Sequence, residues 1–108
     1  MTALTNSVQL IGRTGNEPEL KTLAKDRSML RFSLATNDYY FNAQGERVET
    51  THWHRIVAWG KLAERMSQQL KKGQMVAING KLVTNKWKDN EGKMRSITEI
   101  VANEYIPA

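Results

Sequence analysis

Cysteine is absent from the 108 residues. Disulfides and thiolate metal sites are therefore excluded, and a reducing cytoplasm is permitted. Long apolar runs are also missing: none approaches the ~20 residues a membrane-crossing helix needs. Met1 to Asn6 lacks both the basic start and the apolar stretch of a secretion signal, which leads us to expect an intracellular protein. No internal repeat or low-complexity linker divides the chain. No Gly-rich phosphate cradle with its Lys-Ser/Thr follows Gly12 and Gly15, so both glycines read as turns. Acidic residues are outnumbered, 11 against 16 Lys and Arg, for a net charge of +5. One domain over residues 1–108 with one modest core is expected. Its basic surface suits a polyanion as well as an ordinary solvated face.

Period-two patterning dominates what is there. Asn6 to Gly12 reads as a strand with Val8 and Leu10 inward, and Glu19 to Ala24 as a short second strand. In Met29 to Thr36, Leu30, Phe32 and Leu34 alternate with Arg31, Ser33 and Ala35. Asn37 to Glu49 is polar, holds Asn-Ala-Gln-Gly and predicts a hairpin loop. Lys61 to Lys72 changes period, placing Leu62, Ala63, Met66 and Leu70 on one helical face before Gly73. Gln74 to Thr84 returns to period two, with Gly80 marking a bulge. Arg95 to Tyr105 is the closing strand, with Ile97, Val101 and Tyr105 on one face and Ile100 and Ala102 on the other. Strand, strand, strand, helix, strand, strand is the order of the OB fold. That fold is a five-stranded Greek-key barrel, all-β but for a helix between strands 3 and 4.

The most informative stretch is Thr51 to Gly60, Thr-His-Trp-His-Arg-Ile-Val-Ala-Trp-Gly. Alternation puts Trp53, Arg55, Val57 and Trp59 on one face and His52, His54, Ile56 and Ala58 on the other. The second face suits a core. Two indoles flanking a guanidinium suit a wet, anionic, planar partner, although large core residues are the alternative. Lys86-Trp87-Lys88 combines charge and a ring at a hairpin, the pairing a single-strand groove needs. Arg31 lies on the solvent side of its strand, in reach of a backbone phosphate. Tyr39, Tyr40 and Phe41 are consecutive and cannot all enter one core, so at least one is expected to be exposed.

The ordered pieces Asn6–Arg13 with Pro18-Glu19, Thr51–Glu64, Leu70–Gly73, Val76–Leu82 running on to Lys86-Trp87, and Gly92–Arg95 with Thr98–Val101 resemble the bacterial single-stranded DNA-binding protein family. The resemblance covers nearly the whole chain. It implies an OB fold, assembled as a homotetramer (a dimer being the lesser alternative), that binds single-stranded DNA without sequence preference in replication, recombination or repair. It implies base stacking on Trp53, Trp59, Trp87 and Tyr40, and a subunit contact at His54. Phosphate contacts are expected of Arg31, Arg55, Lys61, Lys86, Lys88 and Arg95. A cytoplasmic, nucleoid-associated location follows, with no cofactor and no membrane partner. Family members continue into a disordered tail with an acidic tip. The sequence ends at Pro107-Ala108, as expected of a tail-less member or of the binding domain alone, and recruitment of replication proteins through such a tip is doubtful for it.

Two other classes compete. An enzyme reading rests on His52, His54 and nearby Glu49, but the sequence places no third ligand or carboxylate cluster with them. An OB module for RNA or for another protein uses the same fold, and stacking with phosphate contacts serves RNA as well as DNA.

Overall fold

The computed structural model describes residues 3–23 and 27–107, with a 3-10 turn at Ala3–Asn6. The strands are β1 (Val8–Thr14), β2 (Glu19–Leu23), β3 (Arg27–Phe41), β4 (Arg47–Trp59), β5 (Met75–Lys88) and β6 (Met94–Pro107). One helix, α1 (Gly60–Gln69), follows β4. Ala24, the last residue of the expected second strand, lies outside the described residues. No helix among the described residues is long and apolar enough to cross a membrane.

The sheet runs β1-β5-β6-β4-β3-β2, and a further β1–β3 pairing closes it. β1 meets β3 at Arg13↔Ala35 and Thr14↔Leu34, and β2 continues along the same edge from Glu19↔Arg31 to Leu23↔Arg27. β1 and β2 thus act as one interrupted strand, and the barrel has five walls with α1 between the third and fourth, as the OB pattern requires. At the interruption the side chain of Asn16 replaces a strand partner. Its Oδ1 accepts hydrogen bonds from the backbone N–H (3.1 Å) and the hydroxyl (2.8 Å) of Ser33.

Alternation builds the core. Leu30, Phe32 and Leu34 of β3, Ile56 and Ala58 of β4, Val76 and Ile78 of β5, and Ile100 and Ala102 of β6 all point inward and are buried. Ala63 and Met66 of α1, with Leu70 just beyond it, close the barrel's end. The helix ends earlier than its expected limit at Lys72. Lys71 and Gly73 instead tie to β1: the Thr14 hydroxyl donates to the Lys71 carbonyl and the Gly73 N–H to the Thr14 carbonyl.

Gly12 lies within β1, not in a turn; a β-carbon there would stand 2.1 Å from the Ala35 carbonyl oxygen, so the closing contact between β1 and β3 needs its bare backbone. The expected bulge at Gly80 is present. Asn79 pairs with Glu104 and Gly80 with Ala102, so Asn103 is skipped. The skipped residue reverses the phase of β6. Tyr105, expected on the face of Ile97 and Val101, pairs with Ile78 instead and packs against the core.

The expected loop at Asn37–Glu49 is mostly strand. Pairing continues unbroken from Met29↔Trp59 to Phe41↔Arg47, and only Asn42–Glu46 turns. Asn42 Oδ1 accepts the N–H groups of Gln44 and Glu46, which shapes that turn. Both faces of this arm meet solvent, so no apolar alternation marks it in the sequence. Beyond Ala35, β3 pairs with β4 alone, and beyond Leu82, β5 pairs with β6 alone. Two ribbons therefore extend from the barrel.

Candidate nucleic-acid interface

Residues paired across β3 and β4 share a face, which places Arg31, Ser33, Trp53 and Arg55 together on the barrel's outer wall. Trp53 is 62% exposed, so its ring is not core. Its position is held from below: a β-carbon on Gly15 would stand 2.3 Å from Trp53 Cζ3. Only a glycine leaves room for the indole to lie there. Val57 belongs to the same face but is buried, so the wet part of the strand ends at Arg55 and resumes at Trp59.

Trp53 and Arg55 stand as a ridge between two recesses. One, of about 530 Å³, runs past Asn16, Lys21, Arg31 and Ser33. The other, of about 410 Å³, reaches Ser96, Ile97 and Thr98. The second exists because β4 and β6 pair only at Ile56↔Ile100 and Val57↔Val101 and then splay apart. Both recesses are open to solvent.

Trp59 is less exposed than Trp53, and the Arg27 guanidinium lies 4.9 Å over its ring, a cation–π contact. Lys61 is exposed in the first turn of α1, just after Trp59-Gly60. On the β5–β6 ribbon Trp87 pairs with Arg95 and shares its face, while Lys86 and Lys88 pair with Ser96 and Met94 on the reverse face. The three-residue cluster is therefore split by alternation, with its ring on one side and its charges on the other. Arg95 is already engaged, its Nε 2.9 Å from Asp89 Oδ2. That bond, with the N–H groups of Lys93 and Glu91, holds the Asp89 carboxyl below the usual carboxylate range. Tyr40 is exposed and pairs with Val48, which puts it on the opposite face of the β3–β4 ribbon from Trp53.

His54 faces inward beside Leu34, with its Nε2 2.9 Å from the Thr36 hydroxyl. Burial, and then the neighbouring charge of His52, lower its pKa from the ordinary value. Among the described residues no group of three or more His, Cys, Asp or Glu is placed to hold a metal ion. Sequence reasoning missed Gly15, Asn16, Lys21 and Arg27. Gly15 carried a signal, an isolated glycine after a strand, but a turn explained it equally well. The other three are ordinary polar residues until folding sets them around the indoles.

A second exposed surface is apolar. Ile11 pairs with Ala77, and Ala77 with Ile106, across β1, β5 and β6. Both isoleucines are about two-thirds exposed.

A closed five-stranded barrel with one helix after its third wall is the OB architecture. The family model described as "Single-strand binding protein family" matches residues 5–107. The chain belongs to that family. It is 48% identical over 100 residues to single-stranded DNA-binding protein 1 of Chlorobaculum tepidum, covering 92% of this chain and 62% of that protein. It is 40% identical over 99 residues to the single-stranded DNA-binding protein of Neisseria meningitidis serogroup A, covering 92% of this chain and 57% of that one. The chain thus spans about three-fifths of the length of the curated relatives it matches. Among solved structures, an SSB complex with ssDNA from Plasmodium falciparum superposes with a TM-score of 0.87 at 36% identity, over 95% of this chain and 94% of that one. A deletion mutant of the Thermus aquaticus single-stranded DNA binding protein gives 0.84 at 27% identity, over 95% of this chain and 50% of that one.

Proposed function

We propose that this chain binds single-stranded DNA without sequence preference and without catalysis, protecting it during replication, recombination or repair. The observation that carries this reading is the exposed Trp53–Arg55 ridge between two open recesses. Every base has a π-face, so an indole stacks any base, at roughly 1–3 kcal/mol each. Arg55 and Arg31 supply the charge for the intervening phosphates, and Trp59 and Trp87 extend the set of rings. The duplex form hides its base faces, so binding favours unpaired DNA and melts hairpins by mass action. The names of the relatives and of the Plasmodium complex support the same partner.

The test is a titration with oligo-dT at low and high salt, read by tryptophan fluorescence. Quenching that weakens with salt is the expected result, through stacking and counterion release. Absence of binding refutes the reading. A matched RNA strand run alongside measures the preference for DNA.

The working form is a homo-oligomer. The Ile11–Ala77–Ile106 surface supports this, because an exposed apolar patch of that kind suits a protein contact. Ile11→Glu is expected to lower the mass measured by light scattering, and an unchanged mass removes that surface from the assembly.

A further inference from the structure

Arg27 opens β3, and Met29, Arg31 and Ser33 follow it at every second residue on the same face. Trp59 pairs with Met29, Val57 with Arg31 and Arg55 with Ser33, so these side chains and the Trp53 ridge share one outer wall. β2 adds Lys21 beside Met29 and Glu19 beside Arg31. Six residues of strand separate Trp59 from Trp53, or roughly 20 Å. Arg27 and Trp59 therefore stand at the far end of the wall from the ridge, with Arg31 and Arg55 between.

The indoles at the two ends offer different things. Trp53 is 62% exposed and Trp59 only 37%. The Arg27 guanidinium lies over the Trp59 ring, 4.9 Å from its centroid, on a face that a stacking base would otherwise use. A guanidinium seated on a ring keeps the N–H donors at its rim for an anion. Among the described residues no carboxylate pairs with Arg27. Arg95 is the contrast: Asp89 also holds it, but takes its Nε donor and offsets its charge. A long side chain loses freedom when it grips a phosphate. On Trp59, Arg27 has lost part of that freedom before any phosphate arrives, and its charge is intact.

We propose that Arg27 is a phosphate-contacting residue of the single-strand site, and that Trp59 positions it there as its seat instead of stacking a base directly. This rests on the single-strand reading above and refines the part that Trp59 plays among the rings. The strand that crosses Trp53 then follows Arg55 and Arg31 along the wall and ends on a cation held by an indole.

The experiment measures binding of labelled oligo-dT by anisotropy over a range of salt. It compares the parent chain with Arg27→Gln, Trp59→Leu and the double variant. Arg27→Gln is expected to flatten the plot of log affinity against log salt by about 0.7, which is about fivefold over a tenfold range of salt. Trp59→Leu removes no charge, yet is expected to flatten the plot in the same direction. The double variant is expected to bind no more weakly than the weaker single variant, as residues acting as one unit do. If Trp59→Leu melts early, a chain carrying Trp53→Phe and Trp87→Phe leaves Trp59 as the sole indole. Saturating oligo-dT is expected to quench Trp59 less in that chain than in the same chain with Arg27→Gln, where the ring is uncovered; equal quenching overturns the seat. An unaltered salt slope in Arg27→Gln overturns the phosphate contact. Additive losses, with an unaltered slope in Trp59→Leu, show that the ring stacks a base by itself and overturn the seat while the function stands. A parent chain that does not bind oligo-dT overturns the function itself.

Discussion

Trp53→Ala separates a binding ring from a structural one. Trp53 is 62% exposed, so about two-fifths of its surface is covered. A tryptophan buries at most ~250 Å², which puts the covered area at roughly 95 Å². At ~25 cal/mol per Å², its removal costs about 2 kcal/mol of stability as an upper bound. A domain of ordinary stability, about 5–15 kcal/mol, remains folded. A fully buried tryptophan would cost about 3–5 kcal/mol. Binding should lose one stacked base, about 1–3 kcal/mol, or roughly 5- to 150-fold in Kd. Anisotropy of labelled oligo-dT measures this without relying on the deleted fluorophore, and a thermal melt by circular dichroism gives the stability term. The salt slope should not change, because the indole carries no charge. Native folding with unchanged affinity refutes the stacking role. Loss of the cooperative melt shows that the ring is core and that the outer-face assignment is wrong.

Other perturbations test the surroundings. Gly15→Ala should weaken oligo-dT binding although residue 15 offers no group to DNA, because its β-carbon takes the space of the Trp53 ring; unchanged affinity means the ring's seat is unimportant. Arg55→Ala, Lys86→Ala and Lys88→Ala should each flatten the plot of log affinity against log salt by about 0.7. Arg95→Ala should do so less, since Asp89 already holds that guanidinium, and equal slopes across the four variants would contradict this. His54 has a lowered pKa in the fold, so the unfolded chain binds more protons near and below the ordinary value of 6.5. Stability is then complete above that value and declines as pH falls through it. The melting midpoint should drop on acidification, and His54→Gln should lessen the drop; an identical pH profile for the variant refutes the contribution.

Some of this protein was written locally. The alternation of Leu30, Phe32 and Leu34 with Arg31 and Ser33, and the helical spacing of Ala63, Met66 and Leu70, already state which side is inside. Burial is a property of side chain and period together, and both are visible in one dimension. Gly80 signalled its bulge for the same reason, since a missing side chain marks a close approach. The arm at Asn37–Glu49 was illegible because both of its faces are wet, and a ribbon with no buried face leaves no apolar period.

The composition of the site could also be read in the chain: indoles beside Arg55, and a ring among lysines. Its arrangement could not. Whether Trp53 lies over Gly15, which residues of β1, β2 and β3 surround Arg55, and whether Arg95 is free or paired with Asp89 depend on strands that meet from distant parts of the chain. The register of β3 on β4 separates Tyr40 from Tyr39 and Phe41, and the skipped Asn103 turns Tyr105 to the core. The sequence by itself determined the barrel and the kind of chemistry on its surface, because period and residue type are local. Only the tertiary structure decided which rings and charges stand together, because pairing register and barrel closure are set by contacts between residues far apart in the chain.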